Sequence, residues 1–209
     1  MVSKLKENCS KLLEKYSPDI EFTTKTLNTI FSHYTETHRA YHNLTHINDI
    51  LNTLTDKSLH LENPDLIYLA VWFHDIIYDP QSKENETRSA EFASKSLKHT
   101  SLEKQQIEYI EELIIATAKH NWFDNQLDSA YFLDADLSIL GSEADKYDLY
   151  TSQIRKEYIS FPDSIYYSGR KKVMIHFLER ENIYYSKFFQ DKFEAQARKN
   201  IQREIESYS

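Results

Sequence analysis

The sequence predicts an all-α protein, and three observations carry that expectation. Only two glycines and four prolines occur in 209 residues, too few for the many tight turns of a sandwich or barrel. Apolar residues recur at helical spacing in one segment after another. The polar stretches between those segments contain residues that cap or break helices.

Taken in order, residues 3 to 16 carry Leu5, Cys9, Leu12, Leu13 and Tyr16 on one stripe, and Ser17-Pro18-Asp19 breaks that helix. Phe22, Leu27, Ile30, Phe31 and Tyr34 predict a second helix ending near Thr35 to Thr37. Residues 38 to 43 read as an ordered loop. Asn43 or Thr45 caps a third helix whose Ile47, Ile50, Leu51 and Leu54 face inward. Asn63-Pro64-Asp65 starts a fourth. The run Leu66 to Ile77 is apolar nearly all round, which predicts a central buried helix with His74-Asp75 in its last turns and Asp79-Pro80 as its end. Further helices are expected over Asn85 to Leu97, over Ile107 to Ala118 reaching His120, and over Gln126 to Leu140 with Gly141 as C-cap. Tyr147 to Ile159, Ile165 to Leu178 and Phe188 to Ile205 complete the chain. With no repeat or linker, residues 1–209 read as one domain. Its core spans about 39–141, and the C-terminal helices of 142–209 either cover that core or make a homo-oligomer contact.

Composition limits the function. A net charge of −8 argues against a general nucleic-acid-binding surface. No apolar run approaches the ~20 residues of a membrane helix, and Met1-Val2-Ser3-Lys4 does not open a signal-peptide core. Cys9 is the only cysteine, so neither an intramolecular disulfide nor a thiolate metal site is available. The expectation is a cytoplasmic protein that binds no membrane. An anionic substrate needs a local cationic pocket, helped by metal.

Chemistry-bearing residues gather at three places. Val71 to Asp79 is apolar and aromatic but is interrupted by adjacent His74 and Asp75. Burying a carboxylate beside an imidazole is costly unless both are paired or hold a metal. Upstream, His42 and His46 stand four residues apart; downstream, Asp134 and Asp136 stand two apart in another apolar run. Together His46, His74-Asp75 and Asp136 give the ordered pattern H…HD…D. This pattern resembles the HD superfamily of metal-dependent phosphohydrolases, all-helical proteins named for the dipeptide. The strings RAYHNLTHI, WFHDIIYD, NETRSAEF, TAKH, LDADLSILG, IRKEY and SGRKKV resemble one bacterial family within it, described only as predicted metal-dependent phosphohydrolases.

The resemblance implies an HD-like helical bundle and a divalent ion held by His46, His74, Asp75 and Asp136. Such a mixed N/O set suits Mn²⁺, Mg²⁺, Fe²⁺, Co²⁺, Ni²⁺ or Zn²⁺ alike. On a helix, side chains at i and i+2 point about 200° apart, so Asp134 and Asp136 cannot both face one ion. Asp136 sits in the setting the superfamily favours, which leaves Asp134 a supporting or capping part. Glu86, and with it Asp79, are candidates to orient the attacking water, as general base or acid. Arg39 is placed to grip phosphate, and His42, Asn85 and His120 to touch substrate or support the site. Lys119, Arg155 and Arg170 are weaker cationic candidates, and Tyr166-Tyr167 and Tyr184-Tyr185 are weaker candidates for base stacking. The expected activity is hydrolysis of a small phosphorylated substrate, a nucleotide among the candidates. The competing readings are a metal- and nucleotide-binding sensor without turnover, and a di-iron oxygenase that recruits His42 or His120 to a second metal.

Overall fold

The structure, a computed structural model, describes residues 1–208 and contains helices and no strand among them. Eleven α-helical segments follow one another: α1 (Val2–Tyr16), α2 (Ile20–His33), α3 (Leu44–Leu54), α4 (Pro64–Phe73), α5 (Asn85–Leu97), α6 (Lys104–Ala116), α7 (Leu127–Asp136), α8 (Ala144–Glu157), α9 (Asp163–Glu179), α10 (Lys187–Phe189) and α11 (Ala195–Ser207). A 3₁₀ turn, Leu137–Gly141, continues α7, and a π-helical stretch, Gln190–Glu194, joins α10 to α11. None of the helices is long and apolar enough to cross a membrane.

Local chemistry sets the helix starts. The Asp19 side chain accepts from Phe22 N to open α2, and Asn43, not Thr45, accepts from Thr45 N to open α3. Pro64 occupies the first turn of α4, where its missing N–H costs nothing. The Asp128 carboxylate accepts from both Glu62 N and Asn63 N just before it. Glu103 and Gln106 form a reciprocal capping box at α6.

The central buried helix is α4. Leu66, Ile67, Leu69, Ala70, Val71, Trp72 and Phe73 are all buried, and α1, α3, α5, α6 and α7 pack around it. One apolar core runs from Leu5 to Ile201. It closes at dry contacts such as Ile30, Ile47, Phe132 and Phe189, each 0–1% exposed. The C-terminal helices join this core: α11 packs on the 3₁₀ turn and on α9, and α8 packs on the same turn.

Two expectations about helix ends are corrected. Helix α4 ends at Phe73, so His74 and Asp75 lie in the turn that leaves it rather than in its last turns. The Ile77 N–H, which would continue the helix, donates instead to Ser89 Oγ, and Arg39 takes the Asp75 and Ile76 carbonyls beyond the end. Gly141 is not a left-handed C-cap, since no glycine has positive φ. It is there for space: a Cβ at 141 would stand 2.6 Å from Phe193 Cβ and 2.7 Å from Phe193 O. Beside it the buried Asn200 amide donates to Leu140 O and Ser142 O, tying α11 to the turn.

The other glycine, Gly169, lies inside α9 with nothing within 4 Å of where its Cβ would be. The two glycines therefore answer oppositely to substitution. Gly141→Ala should destabilise by about 1–3 kcal/mol through overpacking. Gly169→Ala should stabilise by about 0.5–1 kcal/mol through helix propensity. Urea denaturation of both variants checks the pair, and equal signs would refute the assignment.

Candidate metal centre

Three helix termini build the site. The first turns of α3 bring His46, the turn after α4 brings His74 and Asp75, and the end of α7 brings Asp136. Donor atoms of His46, His74 and Asp136 all lie within 4.8 Å of one another, a group able to hold a metal ion. His46 Nε2 is 3.1 Å from Asp136 Oδ1 and 3.3 Å from His74 Nε2. Asp75 stands outside that trio, yet its Oδ2 is 3.1 Å from His74 Nε2 and 3.7 Å from His46 Nε2. Donors bound at about 2.1 Å to a shared ion sit about 3.0 Å apart in an octahedral shell and about 3.4 Å apart in a tetrahedral one. The spacings of His46 to Asp136 and to His74 come close to such a shell, while Asp75 lies outside the group.

The imidazole orientations fit as well. His74 Nδ1 is 2.9 Å from the Val71 carbonyl, so the proton of the neutral ring belongs on Nδ1 and the lone pair of Nε2 faces the group. Burial alone would lower the His74 pKa, but the Asp75 carboxylate, with Asp136 behind it, overrides burial and raises it to about 9. The same charges act in reverse on the acids. Burial would raise Asp75 and Asp136, but His74 and His42 around Asp75, and His120 and His46 around Asp136, hold both well below the usual carboxylate range. Two imidazoles and two carboxylates thus meet in one pocket.

Some expected residues meet at this centre and others do not. His120 does: its Nε2 lies 2.9 Å from Asp136 Oδ2. It occupies the left-handed region at φ 47°, and Asn121 N donates back to Ala116 O. That is the close of a Schellman-type helix end, where glycine is usual. The Tyr185 hydroxyl donates to the His120 carbonyl at 2.5 Å. His42 lies alongside, with Nδ1 2.6 Å from Glu157 Oε2, while Glu157 Oε1 accepts from Tyr41 N and His42 N. Tyr78 OH donates to the same carboxylate at 2.8 Å. Glu86, half-buried in the first turn of α5, lines the cleft that the centre opens into.

Arg39, Asp79, Asn85 and Asp134 are elsewhere. The Arg39 side chain is fully enclosed, donating from Nε to Glu36 and from its terminal nitrogens to the carbonyls of His42, Asp75 and Ile76. It braces two loops and does not line the cleft, contrary to the phosphate-gripping expectation. Asp79 is exposed: its Oδ1 accepts from Gln81 N, and its backbone is clamped at both N and O by the Asn85 amide. That clamp fixes the entry to α5 and directs neither side chain at the centre. Asp134 accepts from Tyr185 N, Ser186 N and Ser186 OH. It holds the start of α10 on the face of α7 opposite Asp136, and burial pushes its carboxyl up to about 6 despite those donors. Arg155 pairs with Asp163 and donates to Tyr158 O and Phe161 O at the end of α8. Tyr167 packs on Tyr208, and the Tyr184 hydroxyl donates to Leu137 O.

Glu157 is the residue beside the centre that the sequence did not single out. Its only sign was membership of the string IRKEY, because its partners His42 and Tyr41 lie more than a hundred positions upstream.

The centre forms the floor of a cleft of about 820 Å³ whose far wall comes from α8 and α9 and whose rim carries Lys119 and Lys172. Neither a protein-family model nor a curated protein matches this chain.

Two outcomes are expected. The raised His74 pKa stabilises the metal-free fold fully below pH 6.5 and ceases to do so as the pH rises through about 9. Metal needs the neutral ring and works the other way. Between those pH values, binding should release about one proton and affinity should rise ~tenfold per pH unit. Calorimetry in buffers of different ionisation enthalpy reads both, and pH-independent affinity would contradict the arrangement. Separately, His120→Gly removes the ring that meets Asp136 and should weaken metal affinity about 10–100-fold; unchanged affinity would refute that supporting part.

Proposed function

We propose that this protein is a metal-dependent phosphohydrolase of the HD superfamily type, acting on a small phosphorylated substrate. The observation that carries the reading is the convergence of His46, His74 and Asp136 within 4.8 Å, with Asp75 3.1 Å from His74, at the floor of an open cleft. A divalent ion, when bound, supplies Lewis acidity toward a phosphoryl oxygen and lowers the pKa of a water.

The chain's own groups supply the rest. Glu86 reaches the cleft from the first turn of α5 and orients the attacking water, taking its proton. His42, fixed through Nδ1 by the buried Glu157, lines the same cleft with Nε2 left to donate to a phosphoryl oxygen. Burial would lower the His42 pKa, but Asp75 and Glu157 raise it, so the charged donor is favoured. Lys119 and Lys172 at the rim attract the anion in a chain whose net charge is −8. The contact of His120 with Asp136 favours one alternative, a di-iron oxygenase in which His120 or His42 serves a second ion.

The test is metal content by elemental analysis, joined to phosphate release from nucleotides, cyclic nucleotides and sugar phosphates. The protein is loaded in turn with Mn²⁺, Co²⁺, Ni²⁺ and Mg²⁺. One ion per chain with phosphate release is expected. Two ions with oxygen consumption would select the oxygenase, and bound ligand without turnover would select a sensor. Within the hydrolase reading, Asp75→Asn should lose metal affinity and turnover together. Glu86→Gln should keep its metal while turnover falls ~10²–10⁴-fold. Near-full turnover of Glu86→Gln would take the base role away from Glu86.

A further inference from the structure

The cleft has two unlike ends. Its floor is the metal centre, but its far wall is aliphatic and aromatic, with Ile154, Phe161, Ile165, Val173 and Phe177 facing in. Ile165 and Val173 are 59% and 48% exposed, large apolar side chains that the fold leaves uncovered at the mouth. Positions 165, 169, 173 and 177 follow at four-residue steps, so they share one face of α9.

On that face stands Gly169, inside a helix of 17 residues. Glycine is disfavoured in a helix interior because it has the most backbone freedom to lose. Nothing lies within 4 Å of where its Cβ would be, so no contact within the protein accounts for the missing side chain. The gap opens into the cleft. A notch walled by Ile165 and Val173 therefore faces the same space as the metal centre. Ile165 and Val173 offer a hydroxyl no hydrogen-bond partner, and the Arg170 guanidinium is committed to Glu204; the polar groups of this lining are Tyr158, Tyr166, Lys172 and His176.

We propose that the substrate is a phosphate ester with an apolar body, aryl or alkyl, whose phosphate sits at the metal centre and whose body fills the Gly169 notch of α9. The proposal rests on the phosphohydrolase reading for its phosphate end, while the notch is a property of the wall alone. Sugar phosphates, which carry hydroxyls throughout, are disfavoured.

The test measures binding by calorimetry to the full-length, Mn²⁺-loaded protein. The probes are three non-hydrolysable phosphonates, naphthylmethyl, octyl and methyl, with a sugar phosphonate for comparison. At least one apolar-bodied probe should bind about tenfold or more tighter than methylphosphonate, as burial of its apolar surface predicts. Whichever of the two gains more identifies the body as aryl or alkyl. In Gly169→Leu that ratio should fall about tenfold, while the melting temperature is not lowered, because leucine favours helix and the site has room. Equal affinities for all probes, a sugar phosphonate binding tightest, or a ratio untouched by Gly169→Leu would each overturn the proposal. Phosphate release from naphthyl phosphate separates the two readings. Notch-dependent binding without turnover would retire the hydrolase and keep the notch; turnover without preference for an apolar body would do the reverse.

Discussion

The interaction on which the rest depends is the burial of Arg39. Its guanidinium lies between the rings of Tyr34 and Tyr78, at 5.2 and 5.5 Å from their centroids, and donates to three backbone carbonyls and to Glu36. An enclosed cation is tolerable only when its donors are met. Here the acceptors are the carbonyls of His42, Asp75 and Ile76, two of which have left α4 without helical partners. One side chain thus satisfies the end of α4 and fixes the loop that carries His42 and leads to His46. The two halves of the histidine set are registered to each other by a residue that never touches the cleft.

The opposite side of the site uses the same device with the charge reversed. Asp134 takes two backbone N–H groups and a hydroxyl from Tyr185 and Ser186, and Tyr185 in turn donates to the His120 carbonyl. His120 then meets Asp136. The last turn of α7 therefore sends one carboxylate to anchor the C-terminal helices and the other to the centre. Glu157 closes a third side, joining the last turn of α8 to Tyr41, His42 and Tyr78. The residues around the centre, His42, His120 and Asp134, are each held by a partner from the part of the chain after residue 137, whereas His74 is held locally by the Val71 carbonyl.

How much of this was legible in the sequence follows from the range of each interaction. Helix existence was, because α4 and its neighbours bury stripes of 3.6-residue period. The division between Asp134 and Asp136 was also legible, since a 200° offset on a helix is local geometry. The true end of α4 was not. The apolar run continues through Ile76 and Ile77, but Ser89, twelve positions on, takes the Ile77 N–H and Arg39, 36 positions back, takes the Asp75 carbonyl. The left-handed His120 was equally hidden, because a helix end is usually announced by glycine and this one carries a ring that Asp136 meets and a carbonyl that Tyr185 holds. Gly141, read as a cap, answers instead to Phe193, some fifty residues later. Local rules found the elements, and long-range polar contacts decided where they stop.

Placing the centre on helix ends has an energetic logic. A helix interior satisfies its own backbone and offers side chains on a single face, whereas its termini leave polar groups that must find partners. Those unmet groups recruit Arg39, Asp134 and Glu157, and the recruited charges orient the histidines. Without metal the arrangement holds two carboxylates and two imidazoles in a space of a few ångströms, and the raised His74 and depressed Asp75 and Asp136 record how strongly they lean on one another. The brace of Arg39, Asp134 and Glu157 is what keeps such a set of like and opposite charges together.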